Sequence, residues 1–195
     1  MIITGNIEPQ NVLTKTHREL KKGSSDSRHP FRYSSLATHN PETNEPNVRM
    51  VILREVAEDW STIIYTDARS AKVEEIKQLG RAALLFWHSH HKVQLTMKVN
   101  VKLHQNDETA EQFWSKDVHG PARKAYTPLT APGTVVPSPE KAHDWPEEFS
   151  MEHFCVLECV PFDIQVLQIN RKEHRRLRFQ RNEESELWEG QWIAP

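Results

Sequence analysis

The sequence has few cysteines, no long apolar run and almost no net charge, and each of these shortages excludes a class of protein. No stretch reaches the roughly 18 apolar residues that a membrane-spanning helix needs. The formal net charge is −2, from 25 Lys and Arg against 27 Asp and Glu, whereas proteins that coat nucleic acid are usually strongly basic. We therefore expect no membrane span and no nucleic-acid partner.

The two cysteines, Cys155 and Cys159, indicate free thiols in a reducing compartment. They lie four residues apart in a segment typical of a β-strand, which separates their Cα atoms by about 13 Å. A disulfide requires about 7 Å or less, so we expect two buried thiols. Residues 1–6 also lack a basic region followed by an apolar run, which disfavours secretion. Together these features predict a cytoplasmic protein.

Apolar and polar residues alternate strictly over residues 93–104, and this period of two predicts a β-strand with one face in a core. A strand of that length favours a long, bent strand of a small barrel. Further strands are predicted at 32–38, 48–54, 61–66, 82–87, 153–160, 162–169, 174–181 and 186–193.

Few helices interrupt these strands. Residues 10–22 predict a helix stopped by Gly23, and residues 70–79 predict one that ends at Gly80. A third is expected over 107–116, with Asn106 or Asp107 as its N-cap, and a short helical turn over 122–126. The sum is a mainly β (α+β) fold, an antiparallel barrel with a few peripheral helices, in one domain over residues 1–195.

Residues 127–150 form a proline-rich excursion without periodicity. The segment contains five prolines in 24 residues. Irregular loops of this length are uncommon unless they are functional or disordered. The sequence leaves two interpretations open, a mobile surface segment or a strap that reaches over a ligand or a second subunit.

The passage from the third strand into its helix has the composition of an anion site. The strand ends at Thr66, the helix begins near Ser70, and its first turn carries Lys72, with Arg69 just before it. A cation at the positive end of a helix is unfavourable by a few tenths to about 1 kcal/mol. Backbone N–H groups, two hydroxyls and an ammonium at one place suit a phosphate. The alternative is that both cations are exposed and solvated.

Four short elements follow one another in the first half of the chain. They are residues 49–54 (RMVILR), 64–72 (IYTDARSAK), 82–87 (AALLFW) and Gln94. By their order and spacing, rather than by any single motif, they resemble the FMN-binding half of the pyridoxamine 5′-phosphate oxidase family. Residues 29–38 and 164–195 also match the layout of that family.

The resemblance implies a split β-barrel homodimer that binds FMN at the subunit interface and transfers a hydride between a small-molecule substrate and the flavin. Carried over by position, Arg49 would contact the FMN phosphate, and Met50, Val51 and Ile52 would lie along the isoalloxazine with backbone hydrogen bonds. Tyr65, Thr66, Ser70 and Lys72 would complete the phosphate and ribityl site. Gln94 would contact the flavin from the long strand, and Arg176 from near the C-terminus.

The substrate positions depart from the pattern of the family. Only His174 and Arg176 remain of the C-terminal run that helps to hold the substrate, and Leu167 stands where a Trp is expected. Residues 112–116 offer no clear equivalents of the Tyr and Arg that bind the substrate phosphate. An alternative is therefore a non-catalytic carrier of flavin or haem on the same barrel.

Three of the residues 88–91 are histidines, in a predicted turn between two strands. No further cluster stands at a recognisable ligand spacing, so no metal site is predicted. Some split-barrel relatives bind haem, so the alternative interpretation is that one of these histidines is an axial ligand of haem.

Overall fold

Antiparallel β-strands make up most of the computed structural model, which describes residues 2–4, 7–182 and 185–195. The strands are β1 (Tyr33–Asn40), β2 (Glu45–Val56), β3 (Thr62–Asp67), β4 (Arg81–His88), β5 (Val93–His104), β6 (Phe154–Gln168), β7 (Arg175–Arg181) and β8 (Trp188–Ile193). The helices are α1 (Pro9–Ser25), α2 (Ala71–Leu79) and α3 (Glu108–Asp117), and short 3₁₀ turns occur at Pro30–Arg32, Gly120–Ala125 and Pro139–Ala142. None of the described helices is long and apolar enough to cross a membrane.

The strands pair in the order β3-β2-β1-β4-β5-β6-β7-β8, and a further pairing between β3 and β6 closes six of them into a barrel. Strands β7 and β8 continue from β6 outside this ring. The arrangement confirms the predicted antiparallel split barrel with a few peripheral helices.

The long strand β5 has the predicted bounds and pairs with β6 along its whole length. The prediction of two strands at 153–160 and 162–169 is wrong, because β6 runs without a break from Phe154 to Gln168. A register shift between Lys98 and Val99 leaves Phe162 without a partner on β5. Such a bulge adds a residue and bends the strand without ending it.

The prediction that Gly23 stops the first helix is also wrong, since α1 continues to Ser25. Gly23 is buried, and a Cβ at this position would lie 2.8 Å from the Cβ of Phe31. The glycine therefore permits a close approach of two segments. Gly80 does end α2 as predicted, with a φ of 66° and its N–H donated to the carbonyl of Ile76 at 2.7 Å. Asp107 is the N-cap of α3 and accepts from the backbone N–H of Ala110 at 2.8 Å.

Strand β3 is buried on both faces because it separates two cores. One face, with Ile64, packs inside the barrel. The other face, with Ile63 and Tyr65, packs under α3 against Trp114 and Phe154. Adjacent residues of a strand face opposite sides, so this position decides where each β3 side chain can act. The two cysteines of β6 are free and buried, as predicted.

Candidate functional site

The turn from β3 into α2 brings together three of the predicted site residues. The Nζ of Lys72 donates to Thr66 Oγ1 at 2.9 Å and to Ser70 Oγ at 2.8 Å. Both hydroxyl residues are buried, and their oxygens lie 3.4 Å apart. Ser70 is the N-cap of α2 but makes no side-chain capping bond. The predicted cluster of an ammonium, two hydroxyls and the first turn of a helix is present.

The charge of Lys72 is not balanced by a direct ion pair, since in the described part of the chain its ammonium contacts only neutral hydroxyls. Burial lowers the pKa of Lys72, and the positive charge of Arg49 lowers it further. Asp67 and Glu75 act in the opposite direction but do not outweigh these two effects. The structure therefore holds two cations near each other at the start of α2, where an anion would relieve the repulsion.

Arg49 reaches this place from β2 and is held by a buried network. Its Nη2 lies 3.2 Å from Glu75 Oε2, and its Nη1 donates to Thr38 Oγ1. Glu75, on α2, also accepts from Asn47 Nδ2 at 2.7 Å and from the Thr38 hydroxyl. Burial acts to raise the pKa of Glu75, but these hydrogen bonds and the charge of Arg49 lower it overall. Glu75 therefore stays ionised and fixes the guanidinium of Arg49.

The sequence carries a signal for only one member of this network, Glu75. Glu75 stands three residues after Lys72 on α2, a spacing that places both side chains on neighbouring parts of the helix surface. Thr38 and Asn47 are paired across β1 and β2. That register is a tertiary fact, and it explains why sequence reasoning did not find the two residues.

Arg69 does not face Lys72. Its Nη2 and Nε donate to the two carboxylate oxygens of the buried Asp67, at 2.6 and 3.0 Å. Its remaining donors contact the carbonyls of Pro128 and Leu129. The hydrogen bond to Asp67 raises the pKa of Arg69 above its ordinary value. Of the two cations in this turn, only Lys72 is available to a ligand at the helix end.

Tyr65 is the one predicted phosphate-site residue whose side chain the structure places elsewhere. Its hydroxyl donates to Asp117 Oδ2 at 2.5 Å, and its ring lies 5.1 Å from that of Phe154 in the second core. Burial, followed by the contact with Asp117, raises the pKa of Tyr65 strongly. Tyr65 faces the opposite side of β3 from Thr66, so its side chain does not join Lys72.

The outer wall of the barrel carries an exposed apolar face, which we call the outer face. Its large residues on β1, β2 and β4 are Tyr33 (53% exposed), Val48 (68%), Met50 (62%), Leu85 (38%) and Trp87 (44%). They are contiguous, since Met50 lies opposite Ser35, Ser35 opposite Leu85, and Ile52 opposite Tyr33. Val51 points into the barrel core. Of the three residues predicted along the isoalloxazine, Met50 and Ile52 therefore present their side chains outward.

Gln94 and Arg176 belong to a single cross-strand row beside the outer face. Gln94 lies opposite Trp87 on β4 and Leu167 on β6, and Leu167 lies opposite Arg176 on β7. Two strand spacings separate Gln94 from Arg176 by about 10 Å. The Nη2 of Arg176 donates to Gln165 Oε1 at 2.5 Å. The residue also lines a cavity of about 430 Å³. Within one chain, Gln94 and Arg176 therefore lie on the same side of the sheet but about 10 Å apart.

Glu19, His29 and His88 form a cluster whose donor atoms all lie within 4.8 Å of one another. His29 Nδ1 accepts the N–H of Phe31 at 3.1 Å, and His88 Nδ1 accepts that of His91 at 3.2 Å. A histidine that binds a metal through Nε2 normally donates from its other nitrogen. Both rings have the opposite arrangement, so this donor set does not fit a metal ion.

Residues 13–105 match the family model described as the pyridoxamine 5′-phosphate oxidase FMN-binding domain. A pyridoxamine 5′-phosphate oxidase-related, FMN-binding protein from Nostoc punctiforme has a TM-score of 0.74 at 21% identity, over 98% of this chain and 100% of its own. PhzG from Burkholderia lata, solved with tetrahydrophenazine-1-carboxylic acid, has a TM-score of 0.72 at 18% identity, over 94% and 92%. At these identities the two structures share the fold of this chain.

Proposed function

We propose that the chain is an FMN-dependent oxidoreductase acting on a small molecule, because residues 13–105 match the FMN-binding domain of pyridoxamine 5′-phosphate oxidase and the chain has the fold of two related solved structures. The matched segment contains the turn from β3 into α2 and most of the outer face. The proposal combines a phosphate site in that turn with a flavin ring on the outer face.

The observation that carries the proposal is the ammonium of Lys72, which has no ion pair among the described residues and lies beside the Arg49 guanidinium that Glu75 fixes. A half-buried ammonium held only by hydroxyls, beside a guanidinium that lowers its pKa, fits a dianionic phosphate. The uncapped first turn of α2 adds backbone N–H donors. In this site Lys72 and Thr66 would hold the phosphate, Ser70 would position the ammonium of Lys72, and Glu75 would keep Arg49 directed at the phosphate.

The outer face suits a planar, mostly apolar ring system. Met50 and Ile52 offer apolar contacts, and Gln94 offers an amide at the edge of the same face. An exposed apolar patch of this kind on a folded domain is typical of an interface. A second copy of the chain would cover it, exclude water from the ring and bring a second set of C-terminal residues close. We therefore propose a homodimer with the cofactor between subunits.

When bound, FMN would supply the exchange of a hydride with a substrate. The chain would supply the binding, the orientation and the exclusion of water. Lys72 and Arg49 would hold the phosphate as fixed cations, and Gln94 would position the ring edge by a hydrogen bond. The substrate would stack on the part of the ring that neither subunit covers.

The test is an absorption spectrum of the purified protein, followed by mass identification of any molecule released on denaturation. We expect a yellow protein that releases FMN. A colourless protein that stays colourless after incubation with FMN and removal of excess ligand would refute the proposal.

A second candidate function, a flavin carrier without turnover, is favoured by the contacts of the C-terminal basic run, residues 171–181. Arg175 pairs with Glu173 at 2.8 Å, Arg178 pairs with the buried Asp163 at 2.5 Å, and Arg176 is bound to Gln165. Three cations of this run are thus occupied within the chain. Reduction of the bound flavin by a panel of reductants, followed by reoxidation in air, separates the two functions, since a carrier would complete neither step at a useful rate.

A further inference from the structure

The proline-rich segment 127–150 is tied at both ends to the turn that carries the proposed phosphate site. At its start, Arg69 Nη2 donates to the carbonyl of Pro128 at 2.8 Å, and Nη1 donates to that of Leu129 at 3.4 Å. Just beyond its end, the carbonyl of His153 accepts the N–H of Ala68 at 2.8 Å. Two consecutive residues of one turn therefore hold the segment in place.

Hydrogen bonds to the side chain and to the backbone carbonyl of Asp67 connect this anchor to Lys72. Arg69 is paired with both carboxylate oxygens of Asp67, whose side chain is buried. The Asp67 carbonyl accepts from Ser70 Oγ at 2.7 Å, and Ser70 Oγ accepts from Lys72 Nζ at 2.8 Å. Asp67 is therefore in contact both with Arg69 and with the hydroxyl that positions the ammonium of Lys72.

Besides this anchor, the segment is held by Trp145, whose Nε1 donates to the carbonyl of Lys124 at 2.9 Å, and by hydrogen bonds within the segment. The N–H of Leu129 donates to the carbonyl of Asp144 at 2.9 Å, and the Thr130 hydroxyl donates to that of Lys141 at 3.4 Å. Its tip packs on little, since Val135 is 97% exposed. A segment with few buried apolar contacts opens at low cost in free energy. Release of residues 128–129 from Arg69 would thus loosen residues 141–144 as well.

We propose that Arg69 is a latch that couples closure of segment 127–150 to occupancy of the phosphate site. The inference rests on the proposed binding of FMN and adds a positioning residue that does not touch the phosphate. An occupied site stabilises the closed segment, and by thermodynamic linkage the closed segment raises the affinity for the ligand by the same factor.

Limited trypsin digestion tests the coupling, because Lys141 is the one Lys or Arg between residues 127 and 150. In wild-type protein, saturating FMN should slow cleavage after Lys141 several-fold. In the absence of FMN, Arg69→Ala should speed this cleavage by about ten-fold, as expected for loss of a charge-assisted hydrogen bond. The affinity of Arg69→Ala for FMN should fall, and FMN should no longer protect Lys141 as strongly. Arg18→Ala, on the exposed side of α1, is the matched control and should behave as wild type.

The outcomes separate the two proposals. If wild-type protein does not bind FMN, the proposed function fails and the coupling fails with it. If it binds FMN but cleavage after Lys141 proceeds at the same rate with and without the ligand, only the coupling is overturned. Should Arg69→Ala not fold, Arg69→Gln removes the charge and the paired donors to Asp67, and an unchanged cleavage rate in that folded variant would overturn the role of the latch.

Discussion

The turn from β3 into α2 and the outer face are built in opposite ways. In the turn, Lys72, Ser70, Thr66, Arg49 and Glu75 are held by hydrogen bonds within one chain. On the outer face, the apolar side chains of β1, β2 and β4 are exposed, and Gln94 and Arg176 lie about 10 Å apart. The phosphate half of the proposed site is thus complete in a single chain, whereas the ring half requires a cover. The difference predicts that the two halves respond differently to substitution.

The largest effect is expected on the outer face, at the proposed dimer interface. Met50→Glu would place a charge in the proposed dimer interface, where an unpaired buried charge costs about 3–5 kcal/mol. Light scattering should show a wild-type dimer and a monomeric variant that has lost FMN. Val135→Glu, on the exposed tip of segment 127–150, is the matched control. A wild-type monomer, or a variant that remains dimeric, would contradict the interface.

Acid should destabilise the protein through His88, which belongs to neither half of the proposed site. Burial, with smaller contributions from His91 and His29, lowers the pKa of His88 to about 4, although Glu19 acts to raise it. The unfolded chain, with an ordinary pKa near 6.5, binds the proton more readily than the folded one. Stability contributed by neutral His88 is therefore present above about pH 6.5 and lost as the pH falls to 4, by about 3 kcal/mol at most.

Urea denaturation between pH 7 and pH 4 measures this loss, and His88→Asn should flatten the slope. Equal slopes in the two proteins would show that His88 does not control the response to acid.

Removal of the ammonium should damage the phosphate half alone. Lys72→Ala is expected to weaken FMN binding by about 1–3 kcal/mol, the range for a lost charge-assisted hydrogen bond, and Arg49→Ala by a similar amount. Both variants should remain dimeric, unlike Met50→Glu. Fluorescence titration of FMN measures the affinity, and Lys77→Ala, an exposed lysine of the same helix, is the control. Unchanged affinity in both variants would mean that the phosphate binds elsewhere.

The smallest effect is expected at alkaline pH. Burial and the charge of Arg49 lower the pKa of Lys72 below its ordinary value of 10.5. In the free protein the ammonium therefore loses its proton at a lower pH than an exposed lysine does. Affinity for FMN should therefore decline as the pH rises towards that value, while Lys72→Ala should show a flatter profile over the same range. Parallel profiles for the two proteins would show that deprotonation of Lys72 does not cause the loss of affinity for FMN at alkaline pH.

Strong local patterns were predictable, and long-range contacts were not. The alternation over 93–104 predicted β5 to the residue, because one buried and one polar face produce a period of two. The predicted break between the strands 153–160 and 162–169 is wrong, because a bulge at Phe162 lets β6 continue along β5. The resemblance could group Tyr65 with Thr66 and Lys72, but it could not indicate that a second core under α3 occupies the outward side of β3.

The sequence by itself determined the barrel, the turn with Thr66, Ser70 and Lys72, and the absence of a disulfide, because all three depend on spacing along the chain. Only the tertiary structure decided that Glu75 fixes Arg49, that Tyr65 faces away from Lys72, and that Arg69 holds residues 128 and 129. These contacts join residues that are 26, 52 and 59 positions apart. Their geometry follows from strand register and from the packing of helices on the barrel, and neither leaves a local signature in the chain.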